Sequence, residues 1–299
     1  MEQIDTSSHV KVSVIIPCYN HGKYLPEAIQ SVLSQDHPEI EIIVVDDGSS
    51  DNTKLVCEGF AGVKYVYQQN QGLYAARNTG IEASSGKFLV FLDADDWLLE
   101  NAISINIEYL LADPSLAFVS GAYLKVVGIE KREEIKRVVV NDHHFENLLK
   151  GNYISMHATV MYRRWAFNDT RFDLDMKACE DYDVYLQVAR KFKILHHQKL
   201  IAAYRIHDEN MSGDILLMIT TALRALEKQV PHLKSNDELS AYLQGKKNWV
   251  NFYSGILYVK LIKQLHLKEP NREDELKLLK QLNPLLFFKL VTKKYLHVG

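Results

Sequence analysis

With 299 residues, 47% of them hydrophobic and 24% charged, the chain carries enough apolar surface for one large domain and an appendage. A formal net charge of −3 leaves no basic footprint, so binding to nucleic acid is not expected. The three cysteines, Cys18, Cys57 and Cys179, are too far apart for a disulfide framework or paired metal ligands, which points to a reducing cytoplasm.

The opening "MEQIDTSSHVKVSVIIP" has no basic segment ahead of an apolar stretch, so no secretory signal is expected. Nothing approaches the run of about 18 apolar residues that a membrane-spanning helix needs. Short runs rich in Val, Ile, Phe and Tyr at residues 12–17, 41–47, 63–68 and 87–93 read as buried strands. Helical spacing of apolar residues appears between them, over 24–35, near 53–59 and over 72–86. That alternation predicts right-handed βαβ units and a mostly parallel, Rossmann-like α/β sheet with helices on both faces. Further on, 101–113 reads as helix, and 116–127, 138–140 and 153–162 as strands. Residues 180–191 read as a helix with acids in its first turn, and 192–207 as strand. After "NMSGD" the chain reads as helices broken at Pro231, Pro270 and Pro284. The expected division is a catalytic domain over 1–212 and a helical region over 213–299.

Ligands of such sheets bind outside the carboxyl ends of the strands. There the sequence places Tyr19 and Asn20 after the first strand, Asp46 and Asp47 after the second, and Asp93 and Asp95 after the fourth. "PCYNHGKYL" lacks the glycine fingerprint of a nicotinamide-dinucleotide site, and there is neither a phosphate loop nor a Gly-rich nucleotidyltransferase opening. As a calcium loop, "DADDWLLENAIS" has Leu98 where glycine is required and Ser104 where a bidentate glutamate is required. As a D-x-D-x-[TV] phosphatase motif it has Trp97 in the last place. The crowded acids of "FLDADDW" call for a positive partner.

Six blocks in fixed order, "SVIIPCYN", "SVLSQ", "EIIVVDDGSSDNT", "NQGLYAARNTGI", "GKFLVFLDADDW" and "EDYDVYLQVAR", make residues 12–212 resemble glycosyltransferase family 2, the inverting GT-A nucleotide-sugar transferases. The resemblance implies that Pro17, Tyr19, Asn20, Asp46, Gly72, Arg77, Asp93 and Ala94 bind the nucleotide-sugar. Asp46 would accept from the base, Tyr19 would stack on it, Arg77 would reach the nucleotide or its diphosphate and Asp93 would hold the ribose. It also implies that Asp95, with Asp93 and His207, holds Mn²⁺ or Mg²⁺ across the diphosphate, that Asp181 is the general base, and that Glu180 and Trp97 meet the acceptor. Helix position would lower the pKa of Asp181 and Glu180 would raise it, so the sequence leaves its titration open. The implied partners are a nucleoside-diphosphate sugar, UDP-linked, and a glycan, lipid-linked or cell-surface polymer acceptor. The processive members' Q-x-x-R-W block is imitated only by "QVARK", so one sugar per encounter is expected.

Plainer readings stand beside these. Asp46 and Asp47 suit a turn cap, Glu180 and Asp181 a helix start, Arg77 a salt bridge, Tyr19 and Trp97 the core, and His207 the surface. His143, His144, His196 and His197 read as structural, and Cys179 as a small buried hydrophobe. At the level of function, the alternatives are a carboxylate-dependent glycoside hydrolase and a non-catalytic binding module of the same fold. The tail from Arg272 is amphipathic and basic. Its leucines are expected to pack onto the catalytic domain or a second copy of the chain, and the sharper alternative is a peripheral contact with the inner face of an anionic membrane.

Overall fold

The computed structural model describes residues 10–127, 132–207, 210–267 and 273–296. It divides into two compact units, residues 1–145 with 152–210, and residues 146–151 with 211–299. The first unit ends at Asn210. The grouping of 146–151 with the second unit was not foreseen.

In the first unit β1 (Val12–Cys18) is wholly buried, as a β-branched run covered on both faces must be. It is followed by α1 (Leu25–Leu33), β2 (Ile40–Asp46), α2 (Thr53–Glu58), β3 (Val63–Tyr67), α3 (Leu73–Ala83) and β4 (Phe88–Phe91). The four strands pair in parallel in the order β3-β2-β1-β4. Leu25, Ala28, Ile29 and Val32 form the buried stripe of α1. On α3, a Cβ on Gly80 would lie 2.2 Å from Ile15 Cγ2, so only glycine lets this helix approach β1 so closely.

Beyond β4 the sheet becomes mixed. The next elements are β5 (Trp97–Leu98), α4 (Ala102–Ala112), β6 (Leu116–Val127), β7 (Arg132–Lys136), α5 (His144–Lys150), β8 (Met161–Arg163), α6 (Glu180–Ala189) and β9 (Lys193–Ile206). Strand β8 is antiparallel between β4 and β6, β6 and β9 are parallel, and β5 and β7 add antiparallel edges to β9 and β6. The strand expected over 138–140 is absent, and the edge strand is instead the solvated "REEIK" of β7. Over 153–162 only the last two residues enter a strand, preceded by a 3₁₀ turn at His157–Thr159. The two-residue β5 positions the site: its pairing of Trp97 with Ala203 and Leu98 with Ala202 brings "DADD" to the end of β9.

The second unit holds α7 (Ile215–Glu227), α8 (Asn236–His266), α9 (Glu273–Leu282) and α10 (Pro284–Leu296). Asp214 caps α7 by accepting from Leu217 N–H, and Ser235 caps α8 by accepting from Glu238 N–H. Pro284 opens α10, where its missing N–H and fixed φ do no harm. The tail leucines pack within this unit: Leu279 and Leu290 are buried beside Leu257 and Leu261, with Leu276, Leu282, Leu286 and Phe287 against them. Arg272 and the side chain of Lys294 lie outside the described residues.

Candidate active site

On the nucleotide side, Asp46 ends β2 and is 2% exposed. Its Oδ1 accepts from Ser49 N–H at 2.8 Å and its Oδ2 from the Tyr65 hydroxyl at 2.7 Å. A carboxylate has about four lone-pair sites, so both oxygens keep acceptor capacity. Asp47 is a loop anchor, accepting from Gln68 Nε2 and from the backbone N–H of Gln71 and Gly72. Gly72 has φ +96°, which suits glycine. Tyr19 is 50% exposed, which excludes the core reading, whereas Pro17 and Ala94 are buried. Asn20 takes a left-handed φ of 54° and its Oδ1 accepts from Ser50 N–H.

The "DADD" acids meet the end of β9. His207 Nε2 lies 2.9 Å from Asp95 Oδ2, and Asn210 Nδ2 lies 3.4 Å from that same oxygen. Asp96 Oδ1 accepts from Arg205 N–H at 2.9 Å, and Arg205 Nε donates to the Asp95 carbonyl at 2.9 Å. Burial first, then Asp95 and Asp93, push the Asp96 carboxyl well above the usual range. The Arg205 guanidinium lies 4.7 Å from the Trp97 ring and 5.2 Å from the Tyr24 ring and pairs with Glu27, so one face of Trp97 is already covered. Tyr24 in turn stacks on His207 at 5.0 Å.

Arg77 forms the salt bridge that the plainer reading expected. Its guanidinium is 2% exposed, with Nη2 2.6 Å from Asp93 Oδ1 and Nη1 on Glu180 Oε1. Both terminal nitrogens are engaged, so this arginine bridges two acids 103 and 16 residues away. Glu180, expected to meet an acceptor hydroxyl, is 4% exposed and held by that bridge. Its neighbour Asp181 keeps part of its surface open. Asp181 Oδ1 accepts from Tyr182 N–H at 2.7 Å, and Tyr185 Oη lies 3.3 Å from Oδ2. Burial first, then Glu180, raise the Asp181 carboxyl to about 7 against the opposing pull of Arg77. The helix start, which alone would have lowered it, does not prevail.

Could these residues hold a divalent cation? Among the described residues no three His, Cys, Asp or Glu side chains form a cage. Asp95 and His207 nonetheless offer one carboxylate and one imidazole in contact, which suits an ion whose remaining ligands are diphosphate oxygens and water. Asp93, expected as a third ligand, is committed to Arg77 through one oxygen.

Sequence reading missed Arg205, Asp96, Asn210 and Tyr24. Only Asp96 carried a signal, as the last acid of "DADD". His196 and His197 are structural, as expected: burial holds both near pKa 4, His196 Nδ1 meets Ser120 Oγ, and His197 Nε2 meets Asn106 Oδ1. Cys179 is not the buried hydrophobe expected: it is partly exposed and takes φ 54° at the start of α6.

Residues 13–171 match the family model described as Glycosyl transferase family 2. Glycosyltransferase GlyA of Streptococcus pneumoniae serotype 4 is 30% identical over 221 residues, 68% of this chain and 31% of that protein, so the chain spans about a third of its length. S. aureus TarS in complex with UDP-GlcNAc superposes with TM-score 0.61 at 19% identity, covering 95% of this chain and 89% of that one. The mannosyltransferase PcManGT from Pyrobaculum calidifontis, in complex with GDP-Man and Mn²⁺, gives TM-score 0.61 at 16% identity, covering 96% and 84%. At such identities the likeness carries the fold, which is of the GT-A type.

Proposed function

Because the chain belongs to glycosyl transferase family 2, we propose that it moves one sugar per encounter from a UDP-linked donor to a hydroxyl of a glycan, lipid-linked or cell-surface polymer acceptor, inverting the anomeric carbon. The observation that carries this reading is the Arg77 fork, which ties Asp93 on the donor side to Glu180 beside Asp181. Exposed Tyr19 stacks on the base, Asp46 accepts from its edge, and Asp93 meets the ribose with its free oxygen. Asp95 and His207 would hold Mn²⁺ or Mg²⁺, which when bound neutralises charge on the leaving diphosphate. Asp181 takes the acceptor proton as the new glycosidic bond forms and the bond to the diphosphate breaks. Glu180 supports Asp181 through its charge and the Arg77 bridge.

A glycoside hydrolase would need a second free carboxyl to protonate its leaving group, and Glu180 is buried against Arg77.

Thermal unfolding against UDP, UDP-GlcNAc and GDP-mannose with Mn²⁺ tests the donor assignment. A ligand at a hundred times its dissociation constant stabilises by about 2.7 kcal/mol. The expected result is Mn²⁺-dependent stabilisation by the UDP compounds, and none by any nucleotide would remove the reading. Asp95→Ala is expected to weaken Mn²⁺-dependent UDP binding by at least the roughly 10- to 100-fold that loss of an outer-shell metal partner costs. Unchanged binding in the variant or in excess chelator would free Asp95 of that role.

For the tail, packing within the C-terminal unit is the better account. No described helix is long and apolar enough to cross a membrane, and among the described side chains of α10 Leu285 and Phe288 are the large hydrophobics left exposed. Wild type and a Leu285→Glu/Phe288→Glu variant are expected to co-sediment equally with anionic vesicles, and selective loss in the variant would restore the membrane reading.

A further inference from the structure

Asp46, the acid assigned to the base, is held by two donors of the protein itself. Its Oδ1 accepts from Ser49 N–H at 2.8 Å and its Oδ2 from the Tyr65 hydroxyl at 2.7 Å. The first donor is backbone and needs no particular residue. The second is a side-chain choice. Strands β2 and β3 pair in parallel, with Val44 opposite Tyr65 and Asp46 opposite Tyr67, so the Tyr65 hydroxyl reaches two residues further along the neighbouring strand. The Tyr65 ring packs against the core of the sheet, a place that phenylalanine would fill equally well. Only the hydroxyl is left to explain, and Asp46 is the partner it meets.

That bond has one direction. Burial first, then the hydrogen bond to Asp46 and its charge, push the Tyr65 hydroxyl above its usual range, so it stays protonated and donates. The torsion that turns a carboxylate about its Cβ–Cγ bond is broad, and one donor alone would leave Asp46 free to rotate. A donor on each oxygen fixes the plane, and with it the directions of the remaining lone pairs. Such an acceptor separates two pyrimidines that stacking on Tyr19 cannot tell apart. Uracil presents an N–H at its ring N3, and cytosine presents a lone pair at the same atom. A fixed carboxylate accepts from the first and repels the second.

We propose that Tyr65 is a positioning residue that sets the base preference of the donor site: by pinning Asp46 Oδ2 it makes the site select a uracil nucleotide over a cytosine one. The proposal rests on Asp46 meeting the base. It assigns the selection to a tyrosine on β3, the edge strand beside β2, outside the six sequence blocks that carry the family resemblance.

Binding of UDP by calorimetry, and of CDP by displacement of UDP, both with Mn²⁺, gives the ratio of the two dissociation constants in each variant. Tyr65→Phe is expected to weaken UDP roughly 3- to 10-fold and to leave CDP nearly unchanged, so that the preference for UDP falls by the same factor. Asp46→Asn, whose amide can offer either a donor or an acceptor, is expected to abolish most of the preference. A purely structural loss in Tyr65→Phe would weaken both nucleotides alike, and an unchanged ratio in that variant would overturn the proposal. If Tyr65→Phe fails to fold, Tyr65→Met, which also lacks the hydroxyl, decides in the same way. An unchanged ratio in Asp46→Asn would instead remove Asp46 from base recognition, a separate failure.

Discussion

Asp181→Asn is expected to lower turnover by roughly two to four decades while leaving nucleotide affinity unchanged, because it removes only the group that accepts the acceptor's proton in the transition state. The amide is nearly isosteric and can still accept from Tyr182 N–H, so the fold is retained. Asp181 also predicts the shape of the wild-type pH profile. Its carboxyl titrates near 7, and only the deprotonated form can act as a base. Activity should therefore rise with pH through about 7 and flatten above it, whereas an ordinary aspartate would already be ionised well below neutrality. Single-turnover rates in wild type and variant, with the donor chosen by thermal stabilisation, check both statements. A variant that turns over at the wild-type rate would take Asp181 out of the chemistry.

Arg77→Ala is expected to cost roughly 3–5 kcal/mol of stability, the usual consequence of removing one partner from a buried ion pair. The loss should be large because two acids are left uncompensated at once: Glu180 is 4% exposed, and Asp93 faces the same cavity left by the guanidinium. Arg77→Lys is the informative companion. It keeps the charge, but a single ammonium cannot reproduce the planar fork that meets both carboxylates, so recovery should be partial. Urea-unfolding midpoints of the two variants measure the difference. A wild-type midpoint for Arg77→Ala would mean that the bridge contributes nothing net.

Half the sheet was legible because its residues had no other use. "VSVIIP" and "FLVFL" are buried on both faces, and such runs have few ways to fold except as central parallel strands. The second half was not, for two opposite reasons. Strand β7 is solvated and charged, so it lacks the apolar signature, whereas Val138 and Val139 have that signature but lie exposed in a loop. Strand β5 has two residues and exists because Ala202 and Ala203 lie beside it, which no local pattern announces. The site followed the same division. Asp46, Asp93, Asp95 and Asp181 sit at strand ends or a helix start, where the backbone fixes their place. The partners of Arg77 are set by tertiary packing, and so is the contact between His207 and Asp95, 112 residues apart.

The central claim is a single inverting displacement with Asp181 as base, and proton NMR of the anomeric signals during turnover of an α-linked UDP-sugar tests it most directly. The account predicts that the sugar first appears with β configuration as UDP is released, and that Asp181→Asn forms it at a rate lower by roughly two to four decades. A first product that retains the α configuration would contradict it.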